Sequence, residues 1–433
     1  DLIDSIGAAI ADAVSYSHYV KHPIHIQTKS YKTSTFFPHE GQSIHFVPFL
    51  PPPHETEAKQ KIEKAFPTRK MIIGRCANLT EPTKEHLELG RGRCQYRNEC
   101  EKGCSFGASF SSLSATLPAA RRTNNLTTVT DAIVHSVTYD NVSKRATGVK
   151  IIDANTKDYR QYSGRIIFLC ASTLGSTQIM LNSISESFPN GVANSSDTLG
   201  HYLMDHIFMS GASGEHPGFQ ENYYSGRRPN GIYIPRYRNV TEQDDRFLRG
   251  YGFQGGASRP NWRRGLNMQG IGLELKEKLR EPGSWQFHLG GFGEMLPDKR
   301  NRVLLDKNKQ DQWGIPLLNI ECELHDNELK MLDAMSDDAA AMLSAAGIIN
   351  IQKYNEAAPP GLAIHEMGTA RMGHNPNSSV LNKFNQTHDV SNLFVTDGSA
   401  MTSSACQNPS LTYMALTARA SAYAVQLLKE GKI

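Results

Sequence analysis

The stretch Arg165 to Ala171, "RIIFLCA", is a continuous apolar run of the kind a strand shows when both of its faces are covered. It runs into "STLGSTQIMLNS", which reads as a helix. Strand, glycine-containing turn and helix together predict a βα unit of a nucleotide-binding sheet, and therefore an α/β fold. Upstream, "NLTTVTDAIVHSVTYD", "ATGVKIID" and "DYRQYS" predict further short strands from their β-branched and aromatic residues.

Between about 200 and 360 the pattern changes. "GSWQFHLGGFGEML" and "NRVLLDKNKQD" predict strands of an antiparallel sheet, and "NELKMLDAMSDDAAAMLSAAG" a helix stopped by Gly347. The last helix begins in "NPSLTYMALTARASAYAVQLL", with Asn408 as N-cap and Pro409 at the first helical position. Leu411, Ala415, Ala418, Ala422 and Val425 recur there at helical spacing as an apolar stripe. The first sixty residues offer only a helix over "DLIDSIGAAIADAV" and a proline-rich linker or turn in "FVPFLPPPHE".

A chain of 433 residues exceeds one ordinary core, so two domains are expected. A net charge of +3 is too small to argue for nucleic acid or an anionic membrane surface. No stretch approaches the ~20 apolar residues that span a bilayer. The opening "DLIDSIGAAI" has no initiator Met and no basic segment, so no signal peptide is visible, and the chain reads as processed or incomplete.

"GYGFQG" (250–255) matches G-x-G-x-x-G, but the run before it, "TEQDDRFLR", is highly charged and Pro260 follows closely. A phosphate-binding glycine loop needs a strand before it and a helix after it. A glycine-rich loop or strand turn is the expected reading.

Seven cysteines are present, and three of them fall in "CQYRNECEKGC" (94–104), spaced C-x5-C-x3-C. An odd total in a chain this long does not read as a disulfide framework. From the residues alone, zinc, a disulfide with one free thiol, and structural thiols all remain open. Zinc would need a fourth ligand, for which His86 is the nearby candidate.

"HEMGTARMG" (365–373), "NLFVTDGSAM" (392–401) and "CQNPSLTYMAL" (406–416) belong together. In this order they resemble the C-terminal end of the glucose–methanol–choline (GMC) oxidoreductases, flavoenzymes that oxidise alcohols. The resemblance extends over "RCANLTEP", "ATLPAARRTNNLTTVTDAIVHSV", "IIFLCASTLGSTQIMLNS" and "LGHYLMDH" (199–206), or roughly residues 70–433. It implies a GMC-type FAD-binding domain, built from discontinuous segments, plus a substrate domain with a mostly antiparallel sheet. The implied boundaries are an unassigned segment 1–60, FAD-domain portions 61–200 and 363–433, and a substrate domain 201–362. The N-terminal βαβ unit that carries the family's G-x-G-x-x-G is missing from this chain.

The resemblance assigns roles residue by residue. His365 matches the catalytic histidine that accepts the alcohol's proton, and Asn408 the second member of the active pair, which holds the substrate oxygen. Asp397 and Gly398 match the strand end near the FAD phosphates and ribityl chain. Val134 matches a backbone contact to adenine, Ala171 and Ser172 the βα turn lining the nucleotide, and Pro409 and Ser410 the helix start facing the flavin pyrimidine. The chemistry suits these residue types: a neutral imidazole, with an ordinary pKa of about 6.5, can take the hydroxyl proton, and FAD can accept the hydride. His206, His374 and His388 are expected to be surface or core histidines.

The cysteine loop resembles that of a branch of bacterial sugar dehydrogenases, in which three thiolates hold a [3Fe-4S] cluster. Cys94, Cys100 and Cys104 match those ligands, and Arg91, Arg93, Arg97 and Lys102 could offset the cluster's negative charge. The resemblance thus implies an FAD-dependent dehydrogenase that oxidises a secondary hydroxyl of a sugar or glycoside, such as C3 of a glucoside. It also implies a periplasmic location, a small helper subunit and a cytochrome acceptor. An oxygen-using oxidase on the same fold and a non-catalytic GMC-like subunit are the alternatives.

Overall fold

The structure is a computed structural model. It describes residues 53–433 except 75, 98–99, 101–102, 222–230, 260–261 and 282. The helix expected over residues 1–14 lies outside the described residues. The proline-rich run does not end as a linker: its last residues open helix α1 (Pro53–Ala65). Proline is well suited to a first helical turn because its missing N–H would have had no partner there.

In chain order, β1 (Ile72–Ile73) is followed by β2 (Ala132–Asp140), β3 (Arg145–Asp153), β4 (Tyr159–Ser163) and β5 (Ile167–Leu169). Helix α2 (Ser172–Asn182) comes directly after β5. The middle contains β6 (His206–Ile207), β7 (Ser210–His216), β8 (Ile232–Ile234), β9 (Tyr251–Ser258), β10 (Trp285–Glu294), β11 (Arg302–Gln310) and β12 (Pro316–Glu321). Helix α3 (Asp326–Ala345), β13 (Ile349–Asn355), β14 (Leu393–Val395) and helix α4 (Ser410–Lys429) complete the chain.

The βα unit is present. β5 pairs in parallel with β14, more than 200 residues away, and Phe168 stacks on Phe394 across the pair with ring centroids 4.9 Å apart. Both strands are covered on two sides, which is why "IIFL" is apolar throughout, while Cys170 and Ala171 beyond it are exposed. One core, with Leu169, Met180, Leu393 and Val395, lies toward α2; a smaller one joins Phe394 to Ala420, Ala424 and Leu427 of α4. The stripe expected on α4 is therefore the wrong one. Leu411 and Val425 are exposed. The helix carries apolar residues on more than one side, so periodicity fitted two faces and packing on Phe394 chose between them. β2, β3 and β4 form a separate antiparallel sheet. It is tied to the end of α2 where the Val137 N–H donates to Ser183 Oγ at 2.7 Å.

The antiparallel sheet runs β1-β8-β9-β10-β7-β13, with β6 also paired to β10. "GYGFQG" lies mostly within β9, hydrogen-bonded between β8 and β10, and no helix follows it directly. One face of this sheet packs under α3. Phe253, Phe287, Leu289 and Ile234 meet Met331, Met335 and Met342 there. α3 starts with a capping box, in which the His325 N–H donates to Glu328 Oε2 at 3.0 Å, and it stops before Gly347 at φ +81°. α3 also carries Asp338, a buried carboxylate that accepts from Tyr237, Tyr251 and Arg238.

The opposite face of the sheet has a different composition. Register places Tyr233, Gln254, Gly290, Gly211 and Tyr354 in one row across five strands. His288 and Phe292 lie on the same face, two residues to either side of Gly290. The glycines make room for the tyrosines: the Tyr354 hydroxyl lies over Gly211 and Gly290, and the buried Tyr233 hydroxyl lies close to Gly252.

Candidate active site

Three sequence motifs are stitched together by backbone hydrogen bonds. The segment 367–372 runs between 200–204 on one side and 398–400 on the other. Met204 and Met367 exchange N–H···O bonds of 2.8 Å, Gly200 N–H donates to Thr369 O at 2.7 Å, and Thr369 N–H donates to His201 O at 3.0 Å. On the other side, Gly368 N–H donates to Gly398 O and Ala370 N–H to Ser399 O. This three-way join explains the glycines. Gly368 sits at φ +89°, and a Cβ there would lie 2.0 Å from Tyr202 O. A Cβ on Gly398 would lie 2.4 Å from both Glu366 O and Thr173 Oγ1. Gly368→Ala should therefore cost at least the ~1–3 kcal/mol of a forced backbone conformation. We expect a lowered midpoint of thermal unfolding and poor recovery of soluble protein, measured against a surface Gly→Ala control.

His365 opens the middle segment. Its Nδ1 is sealed in the protein and finds no partner among the described residues, which leaves Nε2 as the nitrogen open to a ligand. Burial pushes its pKa below the ordinary histidine value, while the Asp205 and Glu366 carboxylates oppose that shift. The His206 ring stands edge-on to it, with centroids 4.9 Å apart and planes at 85°. His206 is buried, and its pKa is pushed down to about 4, first by burial and then by the neighbouring His365, so it stays neutral near pH 7. Sequence reasoning left His206 among the surface or core histidines. The signal that could have found it was its place in "LGHYLMDH", a motif already matched. His388 is the structural kind, bonded through Nε2 to Ser379 Oγ at 3.1 Å.

Asn408 reaches the same region from the turn just before α4, though not as an N-cap. Pro409 occupies the cap position, and no side chain caps the helix. The Asn408 Oδ1 instead accepts from Gln254 Nε2 of β9 at 3.1 Å. On the same sheet face, Phe292 stands edge-on to His206 at 6.0 Å. His365, His206 and Phe292 form one contact series, and Gln254 with Asn408 a second; register puts Phe292 and Gln254 on the same sheet face, turned away from α3.

Asp397 is half of an internal knot. One carboxylate oxygen accepts from the Ser399 N–H and hydroxyl, and the other accepts a short bond from Ser176 of α2. Ser176 Oγ in turn accepts from the Ala171 N–H at 3.0 Å, so Asp397 joins the turn after β5 to the turn after β14. Ser172 begins α2 at φ +67°, a left-handed conformation uncommon for serine. Val134 lies apart from this knot, on β2. Ser410 begins α4, so Pro409 and Ser410 stand at a helix N-terminus, as expected.

A flavin fits the ring end of this arrangement. The Tyr413 hydroxyl, close over Gly398, is buried without a partner among the described residues, as is His365 Nδ1. Two helix N-termini, of α2 and α4, open beside the ends of the parallel strands, where anionic groups are favoured. A pyrophosphate cradle is not among the described residues.

The cysteine loop is organised around sulfur acceptors. Cys94 is buried, and Asn78 Nδ2 donates to its sulfur at 3.9 Å and to that of Cys100 at 3.5 Å. Burial would raise the Cys104 pKa, but backbone N–H groups of Ser109, Phe106 and Ala108, with Arg97, hold it below the ordinary value. The described residues contain no group of three His, Cys, Asp or Glu that converges as ligands of one metal ion. That geometry does not support the zinc reading. His86 Nδ1 instead accepts from the Thr83 N–H at 3.1 Å.

Comparison with known proteins gives the family. Two family models, both described as GMC oxidoreductase, match residues 43–208 and 297–417. The chain belongs to the GMC oxidoreductase family. It is 32% identical over 284 residues to the 2-methyl-1,2-propanediol dehydrogenase of Mycolicibacterium austroafricanum, covering 64% of this chain and 51% of that protein. It is 27% identical over 347 residues to the fructose dehydrogenase large subunit of Gluconobacter japonicus, covering 79% and 61%. Pyridoxine 4-oxidase from Mesorbium loti superposes with a TM-score of 0.53 at 16% identity over 75% of this chain and 63% of that one, a likeness of fold. The chain spans about half to three fifths of the length of these two curated relatives.

Proposed function

We propose that the protein is an FAD-dependent dehydrogenase that oxidises a secondary hydroxyl of a sugar or glycoside to a ketone, with C3 of a glucoside as the preferred position. The observation that carries this reading is that one sheet face carries both the His365–His206–Phe292 contacts and the Gln254–Asn408 bond. That face offers what a polyol needs: amide and imidazole groups set beside aromatic rings. Bound FAD accepts the hydride of the C–H bond. His365 takes the hydroxyl proton at Nε2, and Asn408 holds the same oxygen through its amide N–H. His206, neutral and edge-on to His365, keeps water and charge away from that side of the ring.

The cysteine loop supplies the exit for electrons. In this reading Cys94, Cys100 and Cys104 hold a [3Fe-4S] cluster. Ligands of a cluster stand further apart than those of one ion because bridging sulfides lie between the metals, so the absence of a single-ion site among the described residues does not oppose it. The Asn78 amide and the N–H groups around Cys104 are donors suited to thiolates. The acceptor is an outside cytochrome and the location the periplasm, with a small helper subunit; the name of the fructose dehydrogenase large subunit itself implies a partner. No helix among the described residues is long and apolar enough to cross a membrane.

The test is made on protein purified with its cofactors. Anaerobic addition of a glucoside should bleach the oxidised flavin spectrum. Low-temperature EPR of the same sample, with total iron, should show the near-isotropic signal of an oxidised three-iron cluster, lost on reduction. Flavin bleaching without iron, accompanied by peroxide formation in air, would replace the dehydrogenase with an oxidase. A protein that takes up no flavin even when a G-x-G-x-x-G βαβ unit is supplied would leave a non-catalytic subunit.

A further inference from the structure

Asp205, immediately before His206, is 1% exposed, and it forms no ion pair among the described residues. A carboxylate that deep costs several kcal/mol unless its lone pairs are satisfied. Among the described residues they are satisfied by backbone N–H groups. Oδ1 accepts from His206 N at 2.8 Å and His365 N at 3.1 Å, and Oδ2 accepts from Gly361 N at 2.7 Å and Ala363 N at 3.1 Å. Three of the four donors are alternate residues of one short loop, and the last of them is His365 itself.

That loop would not keep its shape unaided. Gly361 stands at φ +106° and Ile364 at φ +58°. A β-branched residue in the left-handed region is a strained outlier. Its side chain gives nothing back, because Ile364 is 75% exposed and Leu362 is 58% exposed. The strain lies one residue before the proposed base, and the carboxylate is what the loop is wound around.

We propose that Asp205 is the positioning residue for His365. It fixes the 361–365 loop in a strained form that presents the imidazole, and its negative charge favours the protonated ring formed when His365 takes a proton. This rests on the reading of His365 as the base. The titratable groups around the ring are Asp205 and His206 from the 203–207 segment and Glu366 beside it, with Tyr413 of α4 close enough to feel both carboxylates. Of these, Asp205 alone is bonded to the His365 backbone.

The first measurement needs no variant. In the intact protein the amides of Gly361, Ala363 and His365 should exchange with solvent at least tenfold more slowly than those of Leu362 and Ile364. The latter two make only loop bonds of 3.5 and 3.3 Å. Uniformly fast exchange across the loop overturns the proposal. Asp205→Asn should abolish that alternation and lower kcat by about 10²-fold, the cost of a small misplacement of a reacting group. It should also move the acid limb of kcat/KM to lower pH, because a carboxylate that favours the protonated ring has been removed. Asp205→Asn with Ile364→Gly should recover part of the rate, since glycine holds φ +58° without strain. A lowered unfolding midpoint with an unmoved acid limb and no recovery would make Asp205 structural only. If His365→Ala keeps full activity, the base reading fails, while the exchange pattern still tests the loop anchor by itself.

Discussion

Replacing His365 with alanine is expected to slow reduction of bound FAD by the sugar about 10²–10⁴-fold, the range seen when a positioned acid–base group is removed. The fold should survive, because the side chain makes no hydrogen bond among the described residues; what holds this position is its backbone N–H on Asp205. Flavin content and the unfolding midpoint should stay close to those of the parent, so rapid mixing under anaerobic conditions reads the chemical step alone. The pH dependence has a definite sign. Burial lowers the His365 pKa and the Asp205 and Glu366 carboxylates only partly oppose it, so the base form prevails at neutral pH. The acid limb of kcat/KM should therefore lie below the ordinary value of about 6.5. A loss of less than threefold would sink the assignment and turn attention to His206, the other imidazole in the site.

The second large effect concerns the scaffold. Asp338→Ala is expected to destabilise the protein by about 3–5 kcal/mol, the cost of removing one partner from a buried ion pair. Asp338 accepts from Tyr237 at 2.8 Å, Tyr251 at 2.6 Å, and both Nε and Nη2 of Arg238, at 2.8 and 2.6 Å. Arg69 adds a contact of 3.4 Å. Burial alone would raise the Asp338 pKa, yet the bonds from Arg238 and Tyr251 hold it below the usual range. Truncation leaves two tyrosine hydroxyls and a guanidinium without their acceptor beneath α3. A typical domain has only about 5–15 kcal/mol in hand, so chemical denaturation should show a large fall in midpoint. Asp338→Asn keeps acceptor capacity and should fall between the two. An alanine variant as stable as the parent would mean that the cluster relaxes into water, and that α3 is held by its methionine and leucine face alone.

Local pattern carried far in this chain. The continuous apolar run at 165–171 was enough for a buried parallel strand, and Gly347 for the end of α3. The stretch "GSWQFHLGGFGEML" was enough for a strand of an antiparallel sheet. The order of the C-terminal motifs was enough for the family. Each of these rests on neighbours within a few residues, where spacing and backbone preference speak directly. They fail where two local readings are equally good. α4 has apolar residues on more than one side, so its period fitted a stripe that turned out exposed. Asn408 before Pro409 had the chemistry of a cap, and only Gln254, 154 residues earlier in the chain, drew its amide away.

The sequence alone determined the type of the strongly patterned elements, the α/β class and which short segments carry chemistry, because those follow from side-chain period, turn residues and motif order. Tertiary structure decided what surrounds them. That His206 meets His365, that "GYGFQG" lies in a strand whose Gln254 touches Asn408, and that Asp205 accepts from an amide 160 residues away are contacts with no sequence period. Such contacts arise because buried polar atoms must find partners and the fold delivers distant ones. A buried carboxylate such as Asp205 then gathers whichever N–H groups the packing brings within reach, here those that present His365.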